Sequence, residues 1–449
     1  MDESGQLAMC MNKSQCRVIS ISAQVPLSWA LPLYGYVMPV IVSITVATNS
    51  FIVVVLSHKD LRTPTNYVLL AMAVSELLTG LSCVPWLLYY YTFHGFQTDR
   101  QNGLPPFWCR MFPYMAFILP SVFHTAAIWL TVYLAVQRYI YICVPKLIHG
   151  YCTMKRSKQV ILMICFTAIW TYAPDTFATY NKSFSVFDHQ FNKSMQYCVR
   201  VRTSFINVIG DDVYYFTVYG LHTTLVHLLP CILLVTFTWR LVRAIRIADK
   251  RHANLLSMSS TRKKNVEMNS YLSVNEDNIT RRQPRIYLHR SSISDSKRIQ
   301  GLKQNTRMLI VVILLFLVTE IPAAFIFATH VGTVGLRISA ILKYYGLINK
   351  LLIVRNVLIV ITYPFRFAIY CGMSWQFREV VRQMLPKKVI FWKVLDEREV
   401  NLASFRSRRS LNADKEDDDY KKFLLHGRSA EDAKFKEYAT GKEIYDHKH

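Results

Sequence analysis

Long apolar runs separated by short polar stretches fill most of the chain. Seven of them, at residues 33–57, 66–92, 110–142, 158–179, 213–239, 306–330 and 343–372, reach the roughly 20 residues that a helix needs to cross a hydrocarbon core of about 30 Å. The first and fifth hold no Asp, Glu, Lys or Arg, the third is long enough to imply tilt, and the seventh is interrupted by Arg355 and Arg366. Backbone polar groups in lipid must be satisfied internally, which leaves only helices or closed barrels. The runs do not alternate with period two, so the pattern predicts an all-α membrane protein built on seven transmembrane helices. The amphipathic "WQFREVVRQML" that follows predicts an eighth helix lying on the membrane.

This pattern divides the chain into an N-terminal tail at 1–32, a bundle at 33–373, an amphipathic helix at 374–386 and a polar tail at 387–449. Inside the bundle, the connection from about 248 to 304 is rich in Ser, Asn, Lys and Arg and is expected to be disordered. The opening "MDESGQLAMC" lacks the basic-then-apolar order of a signal peptide, so the first span is expected to act as the signal.

Charge adds orientation. The net charge is +24 although 52% of residues are apolar, because the two kinds of residue are segregated. Residues 240–307 alone carry sixteen Lys and Arg against five Asp and Glu. Nucleic-acid binding is excluded as the reason: the basic residues flank apolar spans, and no stacking platform or zinc motif accompanies them. Lys59 and Arg62, Lys146, Lys155 and Arg156, and the 240–307 segment all fall on one side, which basic-loop bias makes cytosolic. The expected topology is a multi-pass plasma-membrane protein with its N-terminus outside. "NKS" at Asn12, Asn181 and Asn192 then lies outside as candidate glycosylation sites, while "NIT" at Asn278 lies inside and is a chance match. Cys109 and Cys198 face the oxidising side and are expected to form a disulfide, with Cys10 and Cys16 a second candidate pair. No phosphate loop, metal-ligand spacing or nucleophile motif is present, which argues against an enzyme and calls for no cofactor.

Within "HTAAIWLTVYLAVQRYIYICVPKL", Arg138 interrupts an apolar run. Read alone, it is an arginine near a helix end that snorkels to the cytosol. Its context says more. "QRY" at Gln137, Arg138 and Tyr139, the outer cysteine pair, Asn49, Trp170, Pro230 and Pro322 together resemble the rhodopsin-like (class A) G-protein-coupled receptors over about residues 33–385. "NYVLLAMAVSELL", "TRMLIVVILLFLVTEIPAA" and "YPFRFAIYCGMSWQFRE" are similar to an invertebrate neuropeptide branch, the sex peptide and myoinhibitory peptide receptors, with myosuppressin and FMRFamide-like receptors as relatives. The resemblance implies that Arg138, supported by Tyr139, helps form the floor of a G-protein pocket, and that Pro322, Pro364 and Tyr370 take part in activation. It also implies an amidated neuropeptide ligand, a heterotrimeric G protein of the Gi/o class, and arrestin and receptor kinases as partners.

Departures from the family pattern alter the interior chemistry. Glu76 stands where an Asp is usual, Glu320 where a Trp is usual, and Arg366, Phe367 and Tyr370 replace Asn-Pro-x-x-Tyr, with Pro364 three positions earlier. Intramembrane ions are expensive and want partners. An ion pair of Glu76 with Arg366 is therefore expected in place of the family's sodium ion; the other reading sends Arg366 to the inner surface or a phosphate. Glu320 is expected either to be protonated or to bond His124. Gln137 cannot supply the acid that normally precedes the Arg, and Cys109 lies twenty-nine positions before Arg138, about one turn more than usual. Pro120 stands where amine receptors carry an Asp, which disfavours an amine. Ligand-contact candidates are His124, His222, Phe327, His330, Arg200, Asp211 and Asp212, with aromatic surface from Tyr89, Tyr90 and Tyr91. The rival class is a transporter or channel using Glu76, Glu320 and Arg366.

Overall fold

A computed structural model describes residues 3–12, 16–21, 25–188, 192–272, 286–334 and 343–384, with the side chains at 3, 4, 207, 211, 212, 215, 251–272, 286–305, 330, 331, 333, 334 and 345 outside that description. The chain divides into two compact units, Met1–Val380 and Val381–His449. The second is described only over residues 381–384, which are helical.

Seven helices among the described residues are long and apolar enough to cross a membrane: Leu27–Leu56, Pro64–Thr92, Pro106–Cys143, Met154–Ala178, Phe216–Lys250, Thr306–Thr329 and Gly346–Met373. They are called the first to seventh spans below. Their starts follow from local chemistry. The Thr63 and Thr153 hydroxyls accept from the backbone N–H groups of Asn66 and Arg156, satisfying donors that a helix start leaves free. Pro64 and Pro106 occupy first-turn positions, where a missing N–H costs nothing. A further helix runs over Trp375–Met384.

Two sequence expectations change. The connection at 248–304 is helical over much of its length, because the fifth helix continues to Leu272 and the sixth begins at Ile286. Neither Gly nor Pro interrupts residues 231–272 or 286–300, so a polar composition was compatible with helix. Residues 273–285, including Asn278, lie outside the described part. The all-helical expectation also needs an addition. A three-stranded antiparallel sheet of order β1-β3-β2 joins β1 (Cys16–Val18), β2 (Thr179–Asp188) and β3 (Lys193–Arg202). It pairs Thr179 with Arg202 through to Asp188 with Lys193. Gly103 runs against the Gln196 backbone at φ 80°, a place and a conformation that a side chain would not tolerate.

The packing has two main centres. At the disulfide end, Trp86, Tyr90, Tyr91, Val42, Val360 and Tyr363 join the first, second and seventh spans around Cys109 and Cys198. Tyr90 and Tyr91 are thus core residues rather than ligand surface, and Tyr90 donates to Asp99 at 2.8 Å. The second centre joins the third, fifth and sixth spans through Ile128, Val132, Leu234, Ile313 and Phe316.

A disulfide links Cys109, at the head of the third span, to Cys198 on β3, and another links Cys10 to Cys16. The first closes a separation of 89 residues, a long loop whose restriction in the unfolded chain is worth about 2–5 kcal/mol. Cys109→Ser is expected to lower the thermal midpoint of the detergent-solubilised protein by several degrees and to cut its cell-surface level; an unchanged midpoint would refute this. The Asn181 side chain is buried and donates to the Cys109 carbonyl at 2.9 Å. Asn12 and Asn192 are exposed, Asn192 at φ 47° in the turn between β2 and β3.

Candidate functional site

Toward the disulfide end, residues of the third, fourth, fifth, sixth and seventh spans line a cleft. His124, His222 and Phe327, all singled out from the sequence, line it, joined by Tyr172, His227 and Arg355. At its floor is a buried polar cluster. Glu320, 1% exposed, places one carboxylate oxygen 3.0 Å from His124 Nε2 and the other 3.3 Å from His227 Nδ1. His124 Nδ1 lies 3.0 Å from the Tyr363 hydroxyl. The two imidazoles are the polar partners that so deeply buried a carboxylate requires. Above the cluster, Phe327 stacks on His227 with ring centroids 4.5 Å apart. His222 contacts the Thr171 carbonyl at 2.7 Å and Asp175 at 3.7 Å.

Local helix geometry builds this wall. His222 and His227 are five residues apart, which in an α-helix would turn them about 140° away from each other. A π-turn over Thr223–Leu228 widens the helix there and brings both rings to the same cleft. A second π-turn, Tyr114–Ile118, lies in the third span between Cys109 and Arg138, within the stretch that is longer than the family's usual spacing.

One turn deeper, the structure brings Glu76 and Arg366 into direct contact through Oε1 and Nη1. Asn49 donates to the other Glu76 oxygen at 3.4 Å. The three are buried on the first, second and seventh spans. Tyr363, Arg366 and Tyr370 are three and four residues apart, a spacing that puts them on one face of the seventh span.

At the opposite end a second cleft is lined by Arg138, Thr65, Asn66, Met308, Leu309 and Tyr370, among others. Arg138 is 7% exposed, its Nε–H has no partner, and its guanidinium lies 5.2 Å from the centre of the Tyr141 ring. No carboxylate pairs with it among the described residues. Gln137 turns away, donating to Ser157 at 3.0 Å and approaching Thr65 at 3.5 Å. Tyr139 packs on Phe237 rather than on Arg138. An exposed Arg307–Asp249 bridge of 2.8 Å ties the fifth and sixth helices here, a contact worth at most about 1 kcal/mol.

A seven-helix bundle with a disulfide at one end, a polar thread through its middle and a buried arginine at the other is an architecture that comparison with known proteins can place. Residues 48–341 match the model for "7 transmembrane receptor (rhodopsin family)". The chain belongs to the rhodopsin family of seven-transmembrane receptors. This receptor is 34% identical over 369 residues to the sex peptide receptor of Drosophila melanogaster, covering 81% of this chain and 75% of that protein. It is 27% identical over 352 residues to sex peptide receptor-related protein 2 of Caenorhabditis elegans, covering 78% and 70%. It is a multi-pass membrane protein and a receptor rather than an enzyme.

Not every candidate residue of the receptor meets at the cleft. Arg200 stands exposed in the middle strand, opposite Arg17 and Asn181. The side chains of Asp211, Asp212 and His330 lie outside the described part. Pro322 lies within the sixth helix two residues beyond Glu320, and Pro364 within the seventh between Tyr363 and Arg366. Sequence reasoning missed His227, Tyr363 and Arg355 as site residues. Arg355 carried a usable signal, because an ion inside a membrane span is a functional candidate by default.

Proposed function

We propose that this receptor sits in the plasma membrane with its N-terminus outside, binds an amidated neuropeptide of the myoinhibitory or sex-peptide type, and activates a heterotrimeric G protein of the Gi/o class. Arrestin and receptor kinases act on the inner surface afterwards. In this orientation the cleft around His124, His222 and Phe327 is the ligand mouth, and the cleft around Arg138 and Tyr370 receives the G protein.

The observation that carries the reading is the stripe of Tyr363, Arg366 and Tyr370 on one helix face. Tyr363 touches the ligand-side cluster through His124, Arg366 holds the central pair, and Tyr370 lines the cleft with Arg138. A small rotation of the seventh span therefore reaches all three levels together. The ligand mouth suits a peptide end with aromatic side chains and a hydrogen-bonding carboxamide: Phe327 and Tyr172 offer rings, and His222, His227 and Arg355 offer polar atoms. The kinship with the sex peptide receptor favours the myoinhibitory type over FMRFamide-like peptides. The match to the rhodopsin-family receptor model over residues 48–341 disfavours a transporter.

The test is a panel of amidated neuropeptides on cells expressing the full chain, read by cAMP and calcium. A response at nanomolar to micromolar peptide that requires the carboxamide and is lost on blocking Gi/o is expected. Substrate flux without G-protein activation would reverse the reading.

A further inference from the structure

Among the residues lining the ligand-side cleft, Arg355 is the one with a permanent charge. Its position is defined. Its guanidinium carbon lies 4.9 Å from the centre of the Phe327 ring, a cation–π contact. One terminal nitrogen donates to the Asn356 side chain at 3.0 Å, and Asn356 in turn donates to the Tyr34 hydroxyl at 2.8 Å. Its Nε–H is buried and has no hydrogen-bond partner among the described residues.

The nearby acids are already engaged. Glu320 has both oxygens on His124 and His227, and Asp175 lies beside His222. The cleft thus presents a cation with no ion-pair partner within contact distance among the described residues, and one desolvated donor that is unused among them. A buried donor without a partner is costly, and a ligand acceptor that reaches it recovers that cost. A second guanidinium brought into the same space meets like charge at low dielectric.

We propose that Arg355 is a selectivity residue: its Nε–H receives the carbonyl oxygen of the ligand's C-terminal carboxamide, and its charge turns away peptides that carry an Arg next to that end. This rests on the amidated-peptide reading above and separates amidated peptides with an Arg near their end from those without one.

The experiment uses cells expressing the full chain, with surface level read by an N-terminal epitope, and two synthetic probes: an amidated peptide ending in Trp without Arg in its last four residues, and an amidated peptide ending in Arg-Phe. G-protein activation is recorded for the wild type, Arg355→Gln, Arg355→Lys and Arg355→Glu. Arg355→Gln is expected to lose about tenfold or more in potency toward the Trp-ending probe, the range for a charge-assisted hydrogen bond. Arg355→Lys keeps the charge but not the Nε–H, so it loses potency toward the Trp-ending probe and still rejects the Arg-Phe probe. Arg355→Glu gains a response to the Arg-Phe probe, which loss of packing alone would not produce. Wild-type potency toward both probes in Arg355→Gln overturns the proposal, and so does wild-type potency toward the Trp-ending probe in Arg355→Lys should the glutamine variant not reach the surface. A wild type silent to both probes overturns the amidated-peptide reading and this one with it. A responding wild type with indifferent variants overturns the role of Arg355 alone.

Discussion

Arg366→Met is expected to remove most of the receptor from the cell surface. The substitution leaves the Glu76 carboxylate buried with only the Asn49 amide as a polar partner. Breaking one side of a buried pair typically costs about 3–5 kcal/mol, because the remaining charge is left uncompensated. That is a large part of the 5–15 kcal/mol that holds most domains together. Glu76→Gln should be comparably damaging, since it strands a guanidinium that cannot lose its proton. The two together should do better than either alone: the double variant Glu76→Gln with Arg366→Met removes both charges, and replacing a buried pair by neutral groups is often tolerated. The exchanged pair, Glu76→Arg with Arg366→Glu, should likewise recover part of the loss. Surface staining and the thermal midpoint of solubilised receptor decide the matter. If the doubles are no better than the worse single, Glu76 and Arg366 do not act as a unit. Because a fixed cation already neutralises Glu76, agonist potency should also be the same in sodium and in a bulky organic cation of equal ionic strength.

The second large effect is on signalling with little effect on stability. Arg138→Ala is expected to reach the surface at close to normal levels and to lose at least nine-tenths of ligand-stimulated nucleotide exchange. The geometry explains the split. Arg138 is buried yet has no acidic partner among the described residues, its Nε–H is unpaired, and its main neighbour is the Tyr141 ring. Removing it strands no opposite charge, so folding is spared. It does remove the guanidinium that lines the cleft with Met308, Leu309 and Tyr370, the cleft proposed above to receive the G protein. Normal exchange at equal surface expression would refute this role. Gln137 offers no ionic restraint on Arg138, and its bonds run to Thr65 and Ser157 instead.

Much of this was legible before any coordinates. Span count follows from run length, since only a continuous apolar helix of about 20 residues satisfies its backbone in lipid. The pairing of Glu76 with Arg366 was also within reach, because two intramembrane ions of opposite sign are each too costly to stand alone. Other features were hidden for identifiable reasons. The strands β2 and β3 sit between spans where hydropathy is silent, and β1, the second partner of β3, is about 180 residues away from it in sequence. Asn181 matched a glycosylation motif, but its hydrogen bond to the Cys109 carbonyl is one that only the folded loop brings about.

The amino-acid order by itself determined the number of membrane helices, their apolar lengths and the identity of the buried ions, because transfer into lipid is an additive property of local segments. Which ions and rings meet was decided by the tertiary structure. His227 reaches Glu320 through a helix wound locally with an extra residue per turn. Arg355 lies over the Phe327 ring of another span, with its Nε–H unpaired among the described residues. These are relations between distant segments, set by how the helices pack and turn, and no count along one segment contains them.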